Sequence, residues 1–185
     1  MGRFFKPAIK SFAFLAFSLG VSFLLFHVVW RPFQVCGASM TPTLAPGDYL
    51  LVDRVWFRRS ELKRGDLVVF NLEGQSAFLV KRVLGLEGDT VEWKDGALAV
   101  NGKEWPLPQG SHPVSDGIYE TWVVPPSTLF CLGDNLPVSQ DSRSFGPVGQ
   151  DRLYGRVVLC YLPLSRWQWL RPPAKVGADD PRRGP

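Results

Sequence analysis

The stretch Thr90-Val91-Glu92-Trp93-Lys94-Asp95-Gly96-Ala97-Leu98-Ala99-Val100-Asn101-Gly102-Lys103-Glu104 sets two turn dipeptides, Asp95-Gly96 and Asn101-Gly102, between short apolar-bearing runs. Asp, Asn and Gly tolerate the positive φ that tight hairpins require, so the stretch predicts successive hairpins. Outward from it lie further short runs bounded by Gly, Pro, Asp or Asn: Tyr49 to Val52, Asp66 to Phe70, Ala77 to Leu84, Thr121 to Val124, Thr128 to Leu132 and Tyr154 to Tyr161. Each reads as a strand, and no long helical period interrupts them. The expected class is all-β with Greek-key or barrel-like closure.

Upstream of the β body, Ser11 to Trp30 carries no formal charge and is dense in Phe, Leu, Val and Ala. As a helix, such a run spans a bilayer core of about 30 Å. Arg3, Lys6 and Lys10 precede it and only Arg31 follows, which predicts a cytoplasmic N-terminus and a body on the outer face of a cytoplasmic membrane. A cleaved secretory leader is the alternative, with Cys36-Gly37-Ala38 as small residues near a cut. The apolar run exceeds the roughly 7 to 15 residues of a leader core, so a signal-anchor fits better. His27 near its outer end reads as a neutral structural residue. The expected organisation is a basic N-terminus (1–10), a single transmembrane helix (11–30), a β-rich domain on the outer face (31–170) and a disordered tail (171–185).

At 185 residues with 45% hydrophobic and 21% charged, the chain is neither disordered, collagenous nor coiled coil as a whole. Its formal charge of +4 comes from Arg3, Lys6, Lys10 and Arg31, because elsewhere 17 Lys and Arg balance the 17 Asp and Glu. A neutral body has no electrostatic motive to bind nucleic acid. Three cysteines are too few and too odd for a disulfide framework, and Cys131 and Cys160 sit in apolar runs where free thiols behave as small hydrophobes. No Cys/His cluster has metal-ligand spacing, so neither a metal nor a cofactor is expected.

A hydrolase needs a base to activate a nucleophile. Of the two histidines, His27 lies in the apolar run and His112 in the Gln109 to Gly117 loop, a poor place to hold a base rigidly. A lysine can serve only if burial moves its pKa from about 10.4 toward 7 to 8, at a cost of about 4 kcal/mol. Lys63, Lys94, Lys103 and Lys175 lie among charges, at hairpin turns or in the tail. Lys81 alone lies within an apolar run, Phe78-Leu79-Val80-Lys81-Arg82-Val83-Leu84. It can face water or the core, and alternation with Leu79 and Val83 favours the core. Ser39, in Ser39-Met40-Thr41-Pro42-Thr43-Leu44, lies where the chain leaves the apolar segment. Its surroundings suit a nucleophile or an ordinary polar turn.

These residues, with Gly65-Asp66-Leu67-Val68-Val69-Phe70, Lys81-Arg82-Val83, Gly85, Gly88-Asp89, Gly133-Asp134-Asn135, Ser139, Asp141-Ser142-Arg143 and Gly146, resemble in content and order the motifs of bacterial type I signal peptidase. The resemblance spans Ser39 to Val148. It implies a membrane-anchored serine endopeptidase that removes signal peptides from exported preproteins, with Ser39 as nucleophile, Lys81 as general base and Ser139 orienting the lysine amine. It implies an Asp141–Arg143 structural ion pair as well. Some members carry a serine two residues before the nucleophile as an oxyanion donor. Gly37 stands there in this chain, leaving the Ser39 backbone N–H as the main expected donor. Substrate is expected to add as an extended strand with small residues at the first and third positions before the cut, and Met40 to help wall that pocket. Trp56-Phe57 with Arg58-Arg59, and Trp167 with Trp169, suit either the outer leaflet or the core. A self-cleaving repressor relative lacks a reason for the apolar segment, and a non-catalytic β module predicts no cleavage.

Overall fold

Asp95 (φ 48°) with Gly96 (φ 85°), and Asn101 (φ 52°) with Gly102 (φ 75°), take the left-handed backbone that their hairpins demand. They join β5 (Thr90–Lys94), β6 (Ala97–Val100) and β7 (Lys103–Glu104), and β8 (Tyr119–Val123) pairs with β5 to complete a four-stranded antiparallel sheet. The computed structural model describes residues 5–58, 62–106 and 117–170. His112, nearly all of the predicted 109–117 loop and the predicted 171–185 tail lie outside the described residues.

The larger sheet comprises β1 (Trp30–Gln34), β2 (Tyr49–Asp53), β3 (Leu67–Asn71), β4 (Phe78–Gly85), β9 (Thr128–Leu132), β10 (Val148–Gly149), β11 (Leu153–Leu162) and β12 (Gln168–Trp169). Its order is β1-β2-β11-β3-β4-β9-β10, with β12 beside β11. Thus β11 returns over a long connection to lie between two early strands. Among the described residues the end strands β1 and β10 are not paired with each other, so the sheet is not a hydrogen-bonded closed barrel.

The alternation of β3 explains its place at the centre. Leu67 and Val69 pack with Val35, Met40, Leu50 and Val157 on one face, while Val68 and Phe70 pack with Val83, Leu129 and Cys131 on the other. A strand buried on both faces reads as an unbroken apolar run. A third cluster, including Leu84, Trp93, Leu98, Trp105, Phe130 and Leu132, joins residues of both sheets.

The N-terminal helix α1 (Phe5–Val29) begins within the stretch expected to be a basic N-terminus and passes directly into β1 at Trp30. The β body therefore begins at Trp30, in a strand paired with β2 as far as Gln34. Within α1 the side chains described are those of residues 11–24, 27 and 29. No helix among the described residues is long and apolar enough to cross a membrane. Phe57 is core, whereas Trp56, Trp167 and Trp169 are half exposed, with Trp56 edge-on to Trp30 and the last two edge-on to each other. Cys36, Cys131 and Cys160 are all free thiols, the first exposed and the others buried.

Candidate active site

Lys81 sits in the middle of β4, opposite Val68 of β3, and is 2% exposed. It shares that face with Val83 and Cys131, so inward alternation carries the amine into apolar surroundings. Its Nζ donates to Ser139 Oγ at 2.9 Å. Burial pushes the lysine pKa below its ordinary 10.5. The Asp141 carboxylate opposes that shift, and the Arg143 guanidinium reinforces it.

The segment between β9 and β10 delivers Ser139, Asp141 and Arg143. Asp141 caps the short helix α2 (Ser142–Phe145) and is fully buried. Arg143 donates to it through two nitrogens, Nε to Oδ1 at 2.9 Å and Nη2 to Oδ2 at 3.0 Å. The Gly133 N–H donates to Oδ2 and the Arg143 N–H to Oδ1, so both carboxylate oxygens are engaged. Arg143 also donates to the Leu136 carbonyl at 2.8 Å, and its guanidinium lies 5.1 Å from the Trp93 ring centroid, tying the segment to the small sheet.

Ser39 is half-buried in the turn after β1. A Cβ placed on Gly133 would collide with both Ser139 Oγ and the Ser39 carbonyl oxygen, so these atoms lie side by side against bare backbone. Only glycine permits that approach. Ser39, Ser139 and Lys81 therefore occupy one neighbourhood. Among the described residues no hydrogen bond joins Ser39 Oγ to the lysine amine, whose recorded bond is to Ser139. Met40, expected in a pocket wall, is 1% exposed and packs in the core with Leu44, Leu50 and Val157. Its side chain points away from solvent, where the next core position in the turn requires an apolar group.

Sequence reasoning assigned no part to three residues that brace this neighbourhood. Arg82, on the opposite face of β4 from Lys81, forms a two-point ion pair with Asp134 at 2.8 and 2.6 Å and reaches Thr43 Oγ1. Asn135 holds the Ser39 turn through three hydrogen bonds: its backbone N–H to the Ser39 carbonyl at 3.0 Å, and Nδ2 to the Ala38 carbonyl at 3.1 Å and Thr41 Oγ1 at 2.8 Å. Their only early signal was membership of the Gly133-Asp134-Asn135 and Lys81-Arg82-Val83 motifs. Among the described residues no group of three or more His, Cys, Asp or Glu could hold a metal ion.

The model of the family described as Signal peptidase, peptidase S26, matches residues 8–162. The chain is 32% identical over 173 residues to Signal peptidase IB of Staphylococcus aureus strain MRSA252, covering 82% of this chain and 90% of that protein. It is 34% identical over 155 residues to Signal peptidase I T of Bacillus subtilis strain 168, covering 78% and 80% respectively. A crystal structure of a signal peptidase I from Enterococcus faecalis V583 aligns at TM-score 0.45 and 30% identity, over 52% of this chain and 96% of that one. The β-rich body with these relatives defines a serine peptidase. The chain belongs to the signal peptidase family, peptidase S26.

Proposed function

We propose that this protein is a membrane-anchored endopeptidase that cleaves signal peptides from exported preproteins with a Ser39/Lys81 pair. The observation that carries the reading is the buried Lys81 amine, bonded to a neutral hydroxyl beside Ser39 rather than to a carboxylate. A lysine held neutral keeps a lone pair with which to accept a proton.

Ser39 Oγ attacks the scissile carbonyl and passes its proton to Lys81 Nζ, forming a tetrahedral oxyanion. The Ser39 backbone N–H donates to that oxyanion. Collapse breaks the C–N bond, and protonated Lys81 gives its proton to the leaving amine, which departs with the mature protein. A water then attacks the acyl-enzyme ester, loses a proton to Lys81 and regenerates the Ser39 hydroxyl, which releases the signal peptide. Ser139 fixes the angle of the lysine amine. Asp141 and Arg143 hold the segment that carries Ser139.

Membrane anchoring through α1 is supported by its apolar side chains, of which Phe12, Phe14, Phe17 and Phe23 are each at least 66% exposed. Arg3, Lys6 and Lys10, ahead of the apolar run that starts at Ser11, support a cytoplasmic N-terminus, with the body from Trp30 on the outer face. Half-exposed Trp56, Trp167 and Trp169 suit contact with the lipid interface. The substrate is an extended peptide with small residues at the first and third positions before the cut.

Incubation of the detergent-solubilised protein with a preprotein gives a shortened product whose new N-terminus is read by sequencing. Ser39→Ala loses that product while remaining folded. Undiminished cutting by the folded variant sinks the proposal.

A further inference from the structure

We infer that Asn135 is a positioning residue for the oxyanion donor, because its side chain grips the carbonyl at the other end of the peptide unit that carries the Ser39 N–H. The inference rests on the proposed role of Ser39.

Ala38 C=O and Ser39 N–H belong to one peptide plane, which is not among the cis bonds of the chain. In a trans peptide these two groups point in opposite directions and turn together. Fixing the carbonyl therefore aims the N–H. Three donors converge on the Ala38 oxygen: Asn135 Nδ2 at 3.1 Å, Thr41 Oγ1 at 2.9 Å and the Thr41 N–H at 3.2 Å. Thr41 Oγ1 in turn accepts the second Asn135 Nδ2 hydrogen at 2.8 Å, closing a triangle of amide, hydroxyl and carbonyl. Both hydrogens of the amide are used.

The next peptide is held too, since the Asn135 N–H donates to the Ser39 carbonyl. Among the described residues the Ser39 N–H donates to no protein acceptor, so it is unspent and aimed. Gly37 supplies no side-chain donor in this chain. Most of the oxyanion interaction then depends on how accurately one N–H is directed, and preorganised direction is what makes such a donor effective.

Asn135→Ala removes the side-chain grip and leaves the backbone donor to Ser39 in place. Loss of an oxyanion donor costs about 10²- to 10³-fold in kcat, and loss of its aim alone is expected to cost about 10- to 100-fold. KM for a preprotein stays within about twofold, because the oxyanion exists only beyond the ground state. The pH midpoint of kcat stays where it is in the unsubstituted enzyme, since Lys81 and Ser139 are untouched. Affinity for a peptide aldehyde of substrate sequence, whose hemiacetal oxygen needs the same donor, falls in parallel with kcat.

Thr41→Val breaks the same triangle through a different residue and is expected to give the same pattern at a few-fold size. A moved pH midpoint, or kcat and aldehyde affinity retained in both folded variants while Ser39→Ala is inactive, overturns the inference alone. Retained cleavage by Ser39→Ala overturns the function beneath it.

Discussion

Two cations with little exposure, one buried and one partly buried, are treated in opposite ways. Arg64 meets Asp89 through two bonds of 2.8 and 2.6 Å, and Asp89 also accepts from the Leu86 N–H and Asn101 Nδ2. Burial pushes the Asp89 carboxyl up, but those hydrogen bonds outweigh it and hold the pKa below its ordinary 3.8. Lys81 is at least as buried and has a hydroxyl for a partner. Asp141 lies close enough to act on it electrostatically, yet its oxygens are engaged by Arg143 and by backbone N–H groups. A matched charge is scaffold; a cation denied its counterion is left ready to lose a proton. In the proposed mechanism Arg143 does more than brace a loop, since its guanidinium lowers the Lys81 pKa and engages the carboxylate that raises it.

The sharpest way to break this contrast is to remove each cation in turn. Lys81→Met is expected to lower cleavage by on the order of 10³-fold, the scale of general-base loss. Its melting temperature should hold or rise, because an apolar chain of similar shape replaces a buried amine. Arg64→Met should do the reverse, destabilising the fold by about 3 kcal/mol by stranding the Asp89 charge. Cleavage per folded molecule should remain close to that of the unsubstituted protein. Thermal or urea denaturation run beside a preprotein assay reads both quantities, and a Lys81→Met protein that cuts, or that unfolds, erases the distinction.

A smaller effect tests the part given to Arg143. In Arg143→Gln the guanidinium no longer lowers the Lys81 pKa, and Asp141 is released to stabilise the charged amine. The pH midpoint of kcat should move to higher pH, with activity near neutrality reduced and partly recovered in alkaline buffer. Adding Asp141→Asn should return the midpoint toward its original position. A midpoint indifferent to both changes would mean that burial alone sets the amine's protonation.

Sequence legibility follows the range of the forces involved. The hairpins of β5 to β7 were readable because Asp95-Gly96 and Asn101-Gly102 act locally, and β3, β4 and β9 because apolar runs and alternation are local too. Strands β10 and β12 have two residues each, too few to show alternation, and exist only through their pairing with β9 and β11. Alternation favoured the core for Lys81 without deciding it, since an amphipathic strand can also turn a lysine to water. Ser39 could not be told from an ordinary turn serine without the surrounding motifs, since no periodicity governs a turn. Met40 lies in the same turn without a governing period, and its place in the core became visible only in the structure. Asn135 is 97 residues from Ala38, and no local pattern announces that pairing.

The mildest expected effect lies in stability against pH, where the two clusters should bend the curve at opposite ends. Lys81 has a folded pKa below its ordinary 10.5, so between those values the unfolded chain binds the extra proton and stability rises with pH. Below that window the cost of burying the amine is fully present, and above 10.5 it vanishes. Any stability advantage of Lys81→Met should therefore be greatest at low pH and shrink through the alkaline window. Asp89 works in the other sense: its folded pKa is depressed, so its contribution is present above 3.8 and is lost as pH falls through the folded value. Asp89→Asn should be weaker than the unsubstituted protein near neutrality and approach it in acid. Urea denaturation across pH, with each variant subtracted from the unsubstituted chain, separates the two slopes. An alkaline difference curve that is flat for Lys81→Met would mean the amine carries its charge in both states, and with it the contrast between scaffold and chemistry would disappear.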